Sequence, residues 1–169
     1  MPKGLKQTSS LIVISEGAAT SAPNTFTSEK VDLQLNPLDN EVFVVMGVDI
    51  DLGDPELIVG TDTIASMSIS TTERTNVGSI GNSNVLAHSR IELQNDGAAL
   101  VVRGEYKSDS GPSTQLAYLG IIATNDFYIN SDGTGNVGNT TGAARLYGFR
   151  ARADASIYAA LVQSEVLSA

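Results

Sequence analysis

The chain has 169 residues, enough for one domain with a real core and too few for two. A hydrophobic fraction of 41% against 17% charged residues excludes disorder of the whole chain. A formal net charge of -9, with 10 Lys and Arg scattered along the sequence, excludes sequence-independent binding to a phosphate backbone, and the absence of cysteine removes disulfides, thiolate nucleophiles and zinc-thiolate sites.

The N-terminal stretch MPKGLKQTSSLIVISEGAATSA has two lysines, an apolar patch and small residues. The patch Leu11 to Ile14 is interrupted by Ser15 and Glu16, shorter than the roughly seven to fifteen residues of a secretory h-region, so no cleaved signal is expected. Residues 1–24, polar and rich in Ser, Thr and Ala, read as an arm that orders through assembly contacts, ahead of a single sandwich domain over 25–169. No run approaches the roughly twenty apolar residues of a membrane span.

Alternation at Val31, Leu33 and Leu35 predicts a half-buried strand. From Val42 to Leu52 a period of two persists, Val42, Val44, Met46, Val48, Ile50 and Leu52 against Phe43, Val45, Gly47, Asp49 and Asp51. The first half is apolar on both faces and predicts a central strand; the second turns Asp49 and Asp51 to water. Ala65, Met67, Ile69 and Thr71 alternate with Ser66, Ser68 and Ser70. Two further runs, Leu86 to Leu93 and Leu100 to Tyr106, flank Asn95-Asp96-Gly97, the composition of a tight hairpin. Beyond a loop over Ser108 to Ser113, QLAYLGIIA predicts a second central strand, and Phe127 to Ile129 a short one. Ser131 to Gly142 is rich enough in Gly and Asn to predict a long exposed loop. Tyr147, Phe149 and Ala151 alternate as a strand, and Ile157, Ala159 and Leu161 predict a closing strand; the alternative is a short helix capped by Asp154, pairing Ile157 with Leu161 and Tyr158 with Val162. Eight to ten strands predict an all-β, antiparallel, jelly-roll-like sandwich, and no crossover helices are present for a parallel sheet.

The stretch VDIDLGDPE gathers Asp49, Asp51, Asp54 and Glu56. Oxygen ligands at a loop could hold calcium, making these four the candidate metal residues, but the spacing does not match an EF-hand loop and Asp-Pro commonly opens a turn. The turn reading is preferred, and no metal or cofactor is expected. The loop NSDGTGNVGN carries one carboxylate, Asp132, too few for calcium, and NVGSIGN, with Gly78 and Gly81, reads as a turn. His88, the only histidine, falls on a strand between Leu86 and Arg90 and reads as an exposed face residue. No nucleophile elbow, phosphate loop or zinc-protease motif occurs, so no catalytic residue is assigned and no enzyme is expected. Arg145, Arg150 and Arg152 are the one basic cluster; in so acidic a chain they are candidate subunit-interface residues.

Many short strands, long Gly/Asn/Ser/Thr loops, few lysines and no cysteine resemble the single jelly-roll coat proteins of icosahedral viruses, including tailless viruses of bacteria and archaea. The resemblance covers roughly Val31 to Leu167 and has no signature residue to carry across. It implies a capsid protein located in the virion, with copies of itself and other virion structural proteins as partners. The weakly basic N-terminal arm departs from coat proteins that bind RNA directly and fits a shell over a membrane or over internal proteins. A carbohydrate- or calcium-dependent binding module is the alternative, though the chain has no tryptophan for a sugar-stacking platform.

Overall fold

The computed structural model describes residues 4–95, 97, 101–108 and 117–167. Ten strands and one helix follow in order: β1 Leu5–Gln7, β2 Ile12–Ala19, β3 Thr27–Asp32, β4 Glu41–Leu52, β5 Thr63–Ser70, β6 Val85–Asn95, β7 Val101–Lys107, β8 Gly120–Ile122, β9 Asp126–Thr134, β10 Thr141–Ala153 and α1 Ala155–Leu167. One sheet runs β2-β10-β4-β8, with β1 beside the C-terminal part of β10; the other runs β3-β9-β5-β6-β7. All pairs are antiparallel. The first half of the chain therefore pairs with the second in reverse order, β2 with β10, β3 with β9, β4 with β8 and β5 with β6. That is a long hairpin rolled into two sheets, the jelly-roll topology, with β7 added at one edge.

Between the sheets lies a core of Phe43, Val45, Val48, Ile50, Met67, Ile69, Ile122, Phe127, Ile129 and Leu146. Each large apolar side chain buried there contributes about 1.5–3 kcal/mol. A second apolar layer lies outside the first sheet, where α1 lays Ile157, Tyr158, Leu161 and Val162 on Leu5, Val42, Val44, Ala151 and Ala153. The preferred reading of this segment as a closing strand is therefore wrong, and the helical alternative is correct. The outer ends of β4 and β10 are apolar, and residues spaced three and four apart on a helix cover them.

The same layer corrects the reading of β4. Its alternation is not continuous: Leu146 pairs with Val48 and Tyr147 with Gly47, but Gly148 pairs with Val45, leaving Met46 as the extra residue of a bulge. Val42 and Val44 consequently face the helix, whereas Val48, Ile50 and Leu52 face the core. Opposite the bulge the backbones approach so closely that a Cβ on Gly148 would lie 2.3 Å from Phe43 Cε1 and 2.4 Å from the Val44 carbonyl oxygen.

Other boundaries shift too. QLAYLGIIA is not a central strand. Of its described residues only Gly120–Ile122 are extended, at the edge of the sheet, and this strand is apolar on both faces because Ile122 enters the core while Ile121 meets the helix layer. Ser131 to Gly142 is not one long loop: β9 continues to Thr134, paired with β3 as far as Ser131 and with β5 throughout its last residues, and the connection to β10 is residues 135–140, entered at Gly135 with φ +73°. The serines of β5 are not exposed, since Ser68 Oγ accepts from the Gly78 N–H and Asn130 Nδ2 donates to Ser70 Oγ. Part of the expected arm lies in the first sheet, β1 and β2 both pairing with β10. β6 and β7 form a hairpin, as expected, but not a tight one: Asn95 lies opposite Val101, so residues 96–100 connect the strands, and the Gly97 N–H donates to Asn95 Oδ1. Asp96, Leu100, Ser110 to Ser113 and Gln115 lie outside the described residues.

Gly148→Ala is expected to destabilise the fold by about 1–3 kcal/mol through the forced shift of Phe43 and the Val44 carbonyl. Gly81→Ala, whose nearest neighbour would be Ser79 Oγ at 3.6 Å, serves as the near-neutral control. Thermal melts of the two variants check this.

Candidate interaction surface

At the end of the sandwich where β4 finishes and β10 begins, residues 20–26, 53–62 and 135–140 come together. VDIDLGDPE crosses from strand to loop there, and its carboxylates separate. Asp49 and Asp51 alternate with core residues and so project outward from β4. Tyr147 donates its hydroxyl to Asp49 Oδ2 at 3.0 Å. Asp54 receives Nη2 of Arg103 from the other sheet's edge strand at 2.9 Å. Glu56 accepts the backbone N–H groups of Val137 and Gly138 on one oxygen, at 2.6 and 3.0 Å. The four candidate metal residues thus occupy three places, and among the described residues no three or more His, Cys, Asp or Glu side chains gather as a metal site. Asp54 and Glu56 act as loop staples, a role that needs a carboxylate but not convergence.

Asn136 is the hub of these loops. It is buried, its Oδ1 accepts the Glu56 N–H at 3.1 Å, and its Nδ2 donates to the Ile64 carbonyl at 2.7 Å. Asn24, at φ 55°, exchanges hydrogen bonds with the Asn136 backbone, Nδ2 to O at 2.8 Å and N to Oδ1 at 2.9 Å. Thr20 and Thr140 are likewise bonded to each other. A glycine- and asparagine-rich segment is thereby fixed, and it carries exposed Val137 beside the loop that carries exposed Leu57 and Val59. Composition predicts a loop there; the partners of Asn136 are far apart in the chain and could not be read from it.

Arg145 is separated from the other two arginines. Arg145, opposite Asp49 on the outer face, donates Nε to Ser15 Oγ at 3.2 Å and lies 3.5 Å from the Tyr147 hydroxyl. Arg150 and Arg152 do share a face, at the other end. Arg150 donates to the carbonyls of Leu33 and Gln34 and pairs with Glu41, while Arg152 pairs with Asp39 at 2.6 Å. All of these contacts lie within one chain. His88 is half buried; burial and the neighbouring Arg90 hold its pKa below the ordinary value.

One buried charge went unread in the sequence. Glu165 falls on the apolar stripe of α1, four residues after Leu161, and is carried against the β8–β9 turn. Its carboxylate accepts the N–H of Thr124 at 2.7 Å and that of Ala123 at 3.1 Å. It borders a cavity of about 210 Å³ lined also by Asn84, Leu86, Leu119 and Leu161. Burial raises its pKa, opposed by the backbone N–H groups of Thr124 and Ala123.

No protein-family model matches the chain, and no curated protein matches it. Among solved structures it is similar to VP1 of Trichodysplasia spinulosa-associated polyomavirus, at 8% identity and a TM-score of 0.30, covering 90% of this chain and 96% of that one. At that level the fold assignment rests on the strand order itself.

Two outcomes follow from these contacts. Glu56→Ala leaves the Val137 and Gly138 N–H groups without their acceptor; because Glu56 is exposed, the expected cost is about 1 kcal/mol or less, with faster amide exchange confined to residues 135–140. Glu165→Ala costs about 1–3 kcal/mol. The raised carboxyl holds its proton more tightly in the fold than in the unfolded chain. Its stabilising contribution is therefore fully present below the ordinary carboxylate pKa and declines as pH rises through the raised value, so the cost of Glu165→Ala is expected to be larger in acid than at neutral pH in denaturant titrations.

Proposed function

We propose that the chain is a structural subunit that assembles with copies of itself into a closed shell, the capsid of a virion, and performs no catalysis. The jelly roll alone does not decide this, because the same fold serves lectins and enzymes. The observation that carries the reading is where the exposed apolar side chains fall. Leu57, Val59 and Val137 lie on the stapled loops of one end, and Leu38, 93% exposed, and Ile80 on loops of the other. Leu11 and Val13 lie at the β2 edge, and Val102 and Tyr106 on β7. A ligand-binding domain concentrates apolar surface in one cleft. A subunit enclosed by neighbours needs it at its ends and edges.

The loops are held by Asn136, Glu56 and Asp54, so apolar tips are presented at little entropic cost. Partners in this reading are copies of the chain and other structural proteins of the particle. An acidic surface disfavours direct contact with nucleic acid. Among the described residues no helix is long and apolar enough to cross a membrane, so a membrane beneath the shell would be met at its surface. The binding-module alternative requires converging ligands, and Asp49, Asp51, Asp54 and Glu56 diverge.

Light scattering and electron microscopy of the purified protein, with calcium and with chelator, test the proposal. Regular large particles indifferent to chelator are expected. Leu57→Asp with Val137→Asp should shift them to small species while changing subunit stability by about 0.5 kcal/mol or less per site. A wild-type chain that stays monomeric under all assembly conditions would overturn the reading.

A further inference from the structure

We propose that β2 is the pairing edge of a two-fold dimer, in which the β2 strands of two copies join antiparallel and merge their first sheets into one. The inference rests on the reading of the chain as a self-assembling subunit and names the contact through which assembly begins.

Five strands form sheet edges, and four of them are protected against pairing. β3 carries Glu29, Lys30 and Asp32 in six residues, β7 carries Arg103, Glu105 and Lys107 in seven, and β1 and β8 have only three residues each. Charge and shortness are the usual means of keeping an edge unpaired. β2 uses neither: its eight residues, IVISEGAA, contain one charge and no proline. The residues just before and within it include the exposed Leu11 and Val13, 61% and 49% accessible.

The hydrogen-bond alternation shows which groups are free. The Thr20 N–H donates to the Thr140 carbonyl, and β2 continues backward from there in register with β10, Ala18 opposite Gly142 and Glu16 opposite Ala144. Even-numbered residues therefore direct their backbone groups to β10, and Val13, Ser15, Gly17 and Ala19 direct theirs outward. No described residue bonds to these outward groups.

The occupant is set by self-complementarity. Hydrogen bonding requires odd residues opposite odd residues, so a two-fold axis perpendicular to the sheet passes through a residue position. Centred on Ser15, it overlaps the whole stretch from Leu11 to Ala19. On the outer face Val13 then meets the partner's Gly17 and Leu11 meets the partner's Ala19, large opposite small. Centred on Glu16, it would oppose two like charges. Arg145 already lies over Ser15 on the outer face, its charge offset on the β4 side by Asp49 through Tyr147.

The test is association of wild type, Val13→Lys and Ser15→Pro by light scattering across a concentration series, with thermal melts of each variant and amide exchange on the wild type. Val13→Lys adds the missing edge charge, and Ser15→Pro removes an outward N–H without touching the β10 ladder. Both are expected to fold and to weaken association about tenfold or more, about 1.4 kcal/mol. Amides of Val13, Ser15 and Gly17 are expected to be protected in associated wild type and unprotected in Val13→Lys. Folded Val13→Lys that associates like wild type, or unprotected odd amides in associated wild type, overturns the β2 edge while leaving the shell reading intact. A dimer that pairs through β2 but never grows keeps the edge and overturns the shell. A wild type that is monomeric throughout overturns both.

Discussion

The β4–β10 pair is the constraint on which the rest of the molecule depends. Both strands must bury two faces, one against the second sheet and one against α1, and a regular ladder cannot do this with these side chains. The bulge at Met46 resolves the conflict by reversing the parity of β4 halfway along, so that Val42 and Val44 turn outward to the helix and Val48, Ile50 and Leu52 turn inward. Gly148 allows the close approach that the bulge needs. Without it, either the helix layer or half of the core would lose its apolar partners.

From that pair outward, the molecule divides its polar chemistry between its two ends. At one, Glu56, Asp54 and Asn136 tie three loops together from residues distant in sequence, using backbone N–H groups and one arginine. At the other, Arg150 holds the carbonyls of Leu33 and Gln34, and Glu165 holds the N–H groups of Ala123 and Thr124. Of the charges that resemble a site when read along the chain, Glu56 and Arg150 fasten backbone that no strand satisfies. The partners of Asp54 and Glu56 lie far along the chain and are not legible in the acidic stretch itself.

Rigid loops, unsatisfied strand groups and apolar side chains at ends and edges belong to one physical logic. Loop tips fixed in advance lose little entropy when a neighbour covers them, and an unprotected edge supplies oriented backbone donors and acceptors. The shell proposal and the β2 contact draw on different parts of this surface, the first on the loop ends and the second on a sheet edge. That separation makes them independently answerable.

The sequence by itself determined the class of structure. Alternation at Ala65, Met67 and Ile69, at Ala87, Ser89 and Ile91, and at Phe43 and Val45 requires strands with one face in a core, and the lack of long amphipathic segments between them requires antiparallel sheets. It also determined that Arg150 and Arg152 share a face and that Asp49 and Asp51 point to water. Tertiary structure decided the rest. The bulge is invisible where both faces are apolar, because period and parity carry no information when every position is hydrophobic. Ile157 to Val162 satisfies helix and strand templates equally until the outer surface of β4 and β10 demands a cover that a helix supplies. Ser131 to Thr134 becomes strand because β5 offers it a ladder from Met67 back to Ile64, with Thr27 of β3 also opposite Ser131, and this pairing outweighs the loop preference of Ser, Asp and Gly.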